Sequence, residues 1–181
     1  METAQLDRPA DAVNTARTAR TAGTADSEPD TALRAPARLV EFDRHRFIAL
    51  PVHTTLEIVE QPQIIGVPGA PYYALGMMRW QGRHLAVLDL CTLLNAHPKA
   101  GAPKLRHALV VAYQTAPWRP LEYAAIATAG LPQTVQVSDD MHCPLPDDSD
   151  MWPLIAAACF SHQRMPVPVV DTGRLFGSPW G

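Results

Sequence analysis

Large apolar side chains are almost absent from the first part of the chain. Residues 14–26 read NTARTARTAGTAD, a mixture of Ala, Thr, Arg and Gly. Such a stretch cannot bury enough surface to offset the entropy of ordering it. Residues 1–37 are therefore expected to form a disordered tail, with Thr15-Ala16-Arg17 and Thr18-Ala19-Arg20 as low-complexity repeats. From Arg38 short apolar runs alternate with turn residues. Leu39-Val40-Glu41-Phe42 and Arg46-Phe47-Ile48-Ala49-Leu50 are predicted strands around the turn Asp43-Arg44-His45, with Pro51 closing the hairpin. Residues 54–60 read as a helical turn entering a strand, and residues 64–71 as a strand and a proline-marked turn. Residues 75–80 and 84–88 form a second hairpin around Gln81-Gly82-Arg83, where Gly82 supplies a positive φ. Asp89 then caps a short helix, Leu90-Cys91-Thr92-Leu93-Leu94.

The second half repeats this style. Residues 107–113, HALVVAY, are a continuous apolar run of the buried-strand kind. Residues 122–129 and 134–138 are further strands; Val135 and Val137 face one way and Gln136 the other. Residues 139–150 are acidic and proline-rich, a loop. Residues 154–160 and 167–170 are strands on either side of His162-Gln163-Arg164, and Asp171 caps Arg174-Leu175-Phe176 before Gly177. Roughly nine or ten short strands and two or three short helices predict an all-β sandwich or barrel. There is also an internal echo. Ala86-Val87-Leu88-Asp89 with Leu93-Leu94 aligns with Pro168-Val169-Val170-Asp171 with Leu175-Phe176, 82 residues later, and Gln81 meets Gln163. Two related small barrels, each built on one strand–cap–helix unit, would produce it.

Composition narrows the class. One domain plus a tail fits 181 residues. Eighteen prolines argue against long helices, and a net charge of −3 gives no field to hold nucleic acid or anionic lipid. Arg79, Trp80, Arg83 and His84 form too small a basic-aromatic patch for a single-strand binder. No apolar stretch reaches about 18 residues, so no direct membrane insertion is expected. Acidic residues such as Glu2, Asp7 and Asp11 disfavour a transit peptide, and no secretory apolar core is present. Three cysteines make no disulfide framework, which points to a reducing cytoplasm.

Candidate chemistry is sparse. Asp89 and Asp171 could pair as catalytic carboxylates, but each follows a strand and opens a helical turn, so both are read as structural caps. No Cys-x-x-Cys and no His pair at i, i+4 supports a metal, and no cofactor is expected. Cys91 and Cys159 sit among apolar neighbours as small core residues. Asp139, Asp140, Asp147, Asp148 and Asp150 lack calcium-loop spacing. The five serines have no nucleophile motif, and Gly66 and Gly69 make no phosphate loop. A non-enzymatic role is expected. The alternative is a small-molecule-binding or enzymatic double β-barrel with a polar pocket near His84, Asp89 or His142, which would have to converge in space.

Several pieces taken together resemble a known family. Phe47-Ile48-Ala49-Leu50-Pro51, Leu56-Glu57-Ile58-Val59, Val67-Pro68-Gly69-Ala70-Pro71, Leu75-Gly76, and Gly82 with Val87-Leu88-Asp89-Leu90 are similar to a CheW-like domain, from the bacterial chemotaxis coupling family. The likeness runs over residues 38–177, leaving residues 178–181 as a C-terminal end. It implies two five-stranded SH3-like β-barrels in a pseudo-twofold arrangement on a shared core. It implies an adaptor joining a chemoreceptor's cytoplasmic tip to the regulatory domain of a chemotaxis histidine kinase, in the cytoplasm and recruited to membrane-associated receptor arrays. It makes Arg79, Trp80, Gln81, Gly82 and Glu57 the partner-binding candidates. The family pattern before the return strand is Asn-Leu-Arg-Gly, whereas this chain has Arg79-Trp80-Gln81-Gly82. A neutral glutamine replaces a charged, fork-shaped arginine. That departure bears on the receptor contact and suggests a divergent member, in a pilus- or surface-linked chemosensory pathway.

Overall fold

The first described strand is buried on both faces, with Ala37 and Leu39 on one and Val40 and Phe42 on the other. The structure, a computed structural model, describes residues 33–95 and 106–177. Strand β1 (Arg34–Asp43) turns at Arg44-His45 into β2 (Arg46–Pro51). Strand β1 begins earlier than the composition predicted. Arg34 to Ala37, expected in the tail, pair with a later strand from Arg34↔Ser138 to Ala37↔Val135. Backbone pairing holds this end, because Arg34, Ala35 and Pro36 are exposed. The rest of the expected tail, residues 1–32, and the C-terminal end, residues 178–181, lie outside the described residues.

After a 3-10 turn at Val52–Thr54 come β3 (Thr55–Glu60), β4 (Ile64–Ile65), β5 (Ala74–Trp80), β6 (Arg83–Leu88) and helix α1 (Leu90–Asn95). Then follow β7 (His107–Tyr113), β8 (Glu122–Thr128) and β9 (Gln133–Ser138). A 3-10 turn at Asp139–Met141 leads on to helix α2 (Trp152–Ile155), β10 (Ala156–His162), β11 (Met165–Val170) and helix α3 (Thr172–Gly177). One expectation is corrected here. Leu154 and Ile155 belong to a helical turn rather than a strand, because Pro153 in its first turn fixes a helical φ.

The strands form two sheets. One has the order β10-β11-β2-β1-β9, the other β3-β7-β8-β6-β5-β4. The second sheet therefore has six strands rather than the expected five, because Ile64-Ile65 lies along the edge of β5. The sheets are two barrel-like subdomains that exchange chain. The first opens the described chain with β1 and β2 and is completed by β9, β10 and β11, after the whole of the second.

The 82-residue echo is physical. The Asp89 amide donates to the Tyr73 carbonyl and the Asp171 amide to the Ile155 carbonyl, both at 2.9 Å. Leu93 donates to the Asp89 carbonyl at 3.0 Å and Leu175 to the Asp171 carbonyl at 2.9 Å. Strand β6 runs parallel to β8 at Val87↔Ala125, and β11 runs parallel to β2 at Val169↔Ala49. Each pair of positions is 82 residues apart on the β5–β6 and β10–β11 sides.

Three apolar clusters hold the fold. The largest joins both sheets through Val40, Ile48 and Leu50 from one and Leu109, Val111 and Ile126 from the other, sealed by Leu90, Leu93, Trp152, Ile155 and Leu175 from the three helices. A second fills the β3–β8 barrel with Met78, Leu85, Val87, Val110 and Ala125, and a third fills the other barrel with Leu39, Ala49, Phe160 and Val167. Burying one such Leu or Ile side chain contributes about 1.5–3 kcal/mol.

Candidate functional site

The β5–β6 hairpin carries most of the candidates, and strand alternation sorts them. Trp80 shares a face with Met78, Arg83 with Leu85 and Val87, Tyr123 with Ala125, and Glu57 with Val59. These faces line the barrel, so the four residues meet at its open end. The Trp80 indole N–H donates to the Glu57 carboxylate at 2.7 Å. Trp80 and Tyr123 have ring centroids 5.6 Å apart, and the Arg83 guanidinium lies 5.1 Å above the Tyr123 ring. Glu57 is on β3 and Trp80 on β5, near opposite edges of the six-stranded sheet. Their hydrogen bond thus spans the seam across which the sheet curls on itself.

Arg79 and Trp80, neighbours in sequence, point to opposite faces. Arg79 is exposed and pairs across the hairpin with His84, also exposed. Gln81 and Gly82 form the turn with φ of 45° and 76°. Two positive φ values identify a type I′ turn, whose twist matches the strands it joins. Gly82 meets this demand without strain, whereas Gln81 adopts a conformation that L residues rarely take. The result is a rim, Glu57-Trp80-Tyr123-Arg83, beside a separate outer face with Arg79 and His84. Tyr123 was not among the sequence candidates. Its signal was the alternation with Ala125 and Ala127, which places a large amphipathic ring at the end of a buried face.

Asp89 and Asp171 are caps. Asp89 is buried and accepts from the Cys91 amide at 3.0 Å and the Thr92 hydroxyl at 2.6 Å. Asp171 accepts from the Gly173 amide at 2.8 Å and the Arg174 amide at 3.1 Å, with the Arg174 guanidinium 3.6 Å away. The acidic loop is partly anchored: Asp148 accepts from Arg46 at 2.5 Å and from the Trp152 indole at 2.7 Å.

His84, Asp89 and His142 do not form a shared pocket. They lie on the exposed face of β6, at the buried start of α1, and against the edge of β10, and no hydrogen bond joins any two. Among the described residues no three His, Cys, Asp or Glu side chains gather as metal ligands. Strongly perturbed titrations lie away from the rim. Burial, then the hydrogen bond to Glu122 and its charge, pushes the Tyr113 hydroxyl up to about 12. Burial, then Tyr72, raises Tyr73. Burial, then contact with Cys143, pushes the Cys159 thiol up to about 12.

A family model described as the CheW-like domain matches residues 38–179. Among solved structures, the scaffolding protein TtCheW from Thermoanaerobacter tengcongensis is similar, with a TM-score of 0.62. The match is at 13% identity and covers 77% of this chain and 90% of that one. No curated protein matches by sequence.

Proposed function

The chain belongs to the CheW-like domain family, and on that premise we propose that it is a non-enzymatic adaptor of a chemosensory pathway. It joins the regulatory domain of a chemotaxis histidine kinase to the cytoplasmic tip of a chemoreceptor. The observation that supports a docking role at this hairpin is the rim. Trp, Tyr and Arg, the residue types that dominate protein interfaces, are gathered and oriented there by neighbours rather than left free to rotate. Side chains already ordered lose less entropy on binding. Arg79 and Gln81 add exposed polar groups at the margin, where contacts set partner choice more than raw affinity. Signal transfer is then a coupling free energy of about 1–3 kcal/mol between two bound partners, with no turnover.

Gln81 stands where the family pattern has arginine. A rewired receptor contact follows from that, with the chain serving a pilus- or surface-linked pathway. Its place is the cytoplasm, brought to receptor arrays by its partners. Among the described residues no helix is long and apolar enough to cross a membrane. The test is capture of the tagged full chain from its native cells, with the bound proteins identified. A chemotaxis-type histidine kinase is the expected partner. Kinase without receptor would locate the loss at Gln81 and its neighbours. A kinase-free eluate, under conditions that preserve a control complex, would overturn the adaptor reading.

A further inference from the structure

We propose that Cys143 and Cys159 are a reversible disulfide pair that locks the barrel of β9, β10 and β11 shut. Their sulfur atoms lie 3.5 Å apart. The Cys143 amide donates to the Cys159 carbonyl at 3.1 Å, and the adjacent His142 bridges Phe160 in antiparallel fashion. The two cysteines therefore face each other across neighbouring extended segments. Antiparallel residues joined this way have Cα atoms about 5.5 Å apart, within the roughly 4.4–6.8 Å that disulfides span. Forming the bond asks the sulfurs to approach by about 1.5 Å, which side-chain rotation supplies. Cys91 is elsewhere, buried in α1 with the Asn95 amide 3.3 Å from its sulfur.

The pair occupies a strategic place. Strand β10 is the outer strand of its sheet, and residues 142 and 143 lie along its free edge. In the other barrel the same position, 82 residues earlier on the hairpin, is held by a two-residue ladder, Ile64↔Met78 and Ile65↔Met77. Phe160 and Cys159 correspond to Met78 and Met77. Pro144 follows at once and has no amide to extend the pairing. A covalent bond at Cys143–Cys159 would make up for the shorter ladder.

The chemistry needs a thiol oxidant of the small-disulfide class, such as glutathione disulfide. Cys143 is partly exposed and reacts first, since Cys159 is buried and its thiol is held protonated. The Cys143 thiolate attacks one sulfur of the reagent, its S–S bond breaks, and one glutathione leaves as thiolate and takes up a proton. Cys159, deprotonated in turn, attacks the Cys143 sulfur and expels the second glutathione. Two protein thiols lose two electrons, and one glutathione disulfide becomes two thiols. In a reducing compartment the pair rests open and closes when the thiol poise shifts.

The full-length chain is equilibrated with glutathione disulfide, quenched in acid and alkylated unfolded. Cleavage at its methionines then separates Cys91, Cys143 (fragment 142–151) and Cys159 (fragment 152–165). The expected result is fragments 142–151 and 152–165 joined and about 2 Da lighter than the two free thiols together, with Cys91 alkylated. Cys159→Ser should trap glutathione on Cys143, and Cys143→Ser should leave Cys159 unmodified. A stable glutathione adduct on Cys143 of the natural chain would overturn the proposal. So would a cross-link containing Cys91, or the same yield from the urea-unfolded chain.

Discussion

The two barrels close in different ways on one backbone plan. In the β3–β8 barrel the closing segment is β4, which pairs with β5 over two residues. It passes so near that a Cβ on Gly76 would lie 2.2 Å from the Ile65 carbonyl oxygen. In the other barrel the residue in the same place is Ala158, exposed, and both strands carry a register shift there, at 74/76 and 156/158. A side chain is allowed at 158 because the closing segment leaves after Cys143. The hairpin tips differ in the same spirit. Gln81-Gly82 and Gln163-Arg164 both have positive φ, but only the first uses glycine. The caps differ too: Asp89 is buried with amide and hydroxyl partners, whereas Asp171 is partly exposed beside Arg174. Backbone hydrogen bonding is thus the shared constraint, while closure and solvent decide the side chains.

The largest effect is expected where closure is tightest. Gly76→Ala should cost about 3 kcal/mol or more, through a positive φ of 135° and a backbone clash. Ala158→Gly should cost less than about 1 kcal/mol. Denaturant melts of both variants measure the contrast, and similar losses would erase the distinction between the barrels. Next come the caps. Asp89→Ala should lose about 2 kcal/mol, since it removes an acceptor shared by a buried amide and a buried hydroxyl, and Asp171→Ala about 1 kcal/mol. A reversed order would contradict the burial argument. Smallest is the turn. Arg164→Gly should leave the unfolding free energy unchanged or raise it slightly, by about a few tenths of a kcal/mol, as relief of left-handed strain outweighs added unfolded-state entropy. Gly82→Arg should lower it by about 1 kcal/mol.

A pH titration sharpens the contrast from outside the hairpins. Burial, then Glu122, pushes the Tyr113 hydroxyl from 10.0 up to about 12. A raised folded value favours the protonated form, so its contribution is complete below pH 10 and is lost as pH climbs through about 12. Tyrosinate absorbance should show this late step in the folded chain, and Glu122→Gln should bring it earlier.

Much of this architecture was legible because it is local. The hairpins and the two caps rest on residues within a few positions of one another, and each copy of the 82-residue echo is itself a short local pattern. The rest depends on contacts that no local pattern encodes. Glu57 meets Trp80 only because the sheet curls, and Cys143 meets Cys159 only because residues 139–142 cross to the edge of β10. The tail boundary was misplaced because Arg34 to Pro36 are held by backbone pairing to β9, which composition does not report. The sequence groups Arg79, Trp80, Arg83 and His84 in one small patch, yet alternation along β5 divides Arg79 from Trp80. That division was available from the period of two, and it separates a packed anchor from a solvated charge.

The central claim is that this barrel rim and its hairpin dock a signalling partner. The most direct measurement is calorimetric titration of the full chain with the purified regulatory domain of the proposed histidine kinase partner and, separately, with the proposed receptor tip. Trp80→Phe and Arg79→Ala are run alongside, with melts to confirm folding. The account predicts binding by the natural chain and a loss of about tenfold or more for one partner in at least one variant. Unchanged affinity for both partners in both folded variants would contradict it.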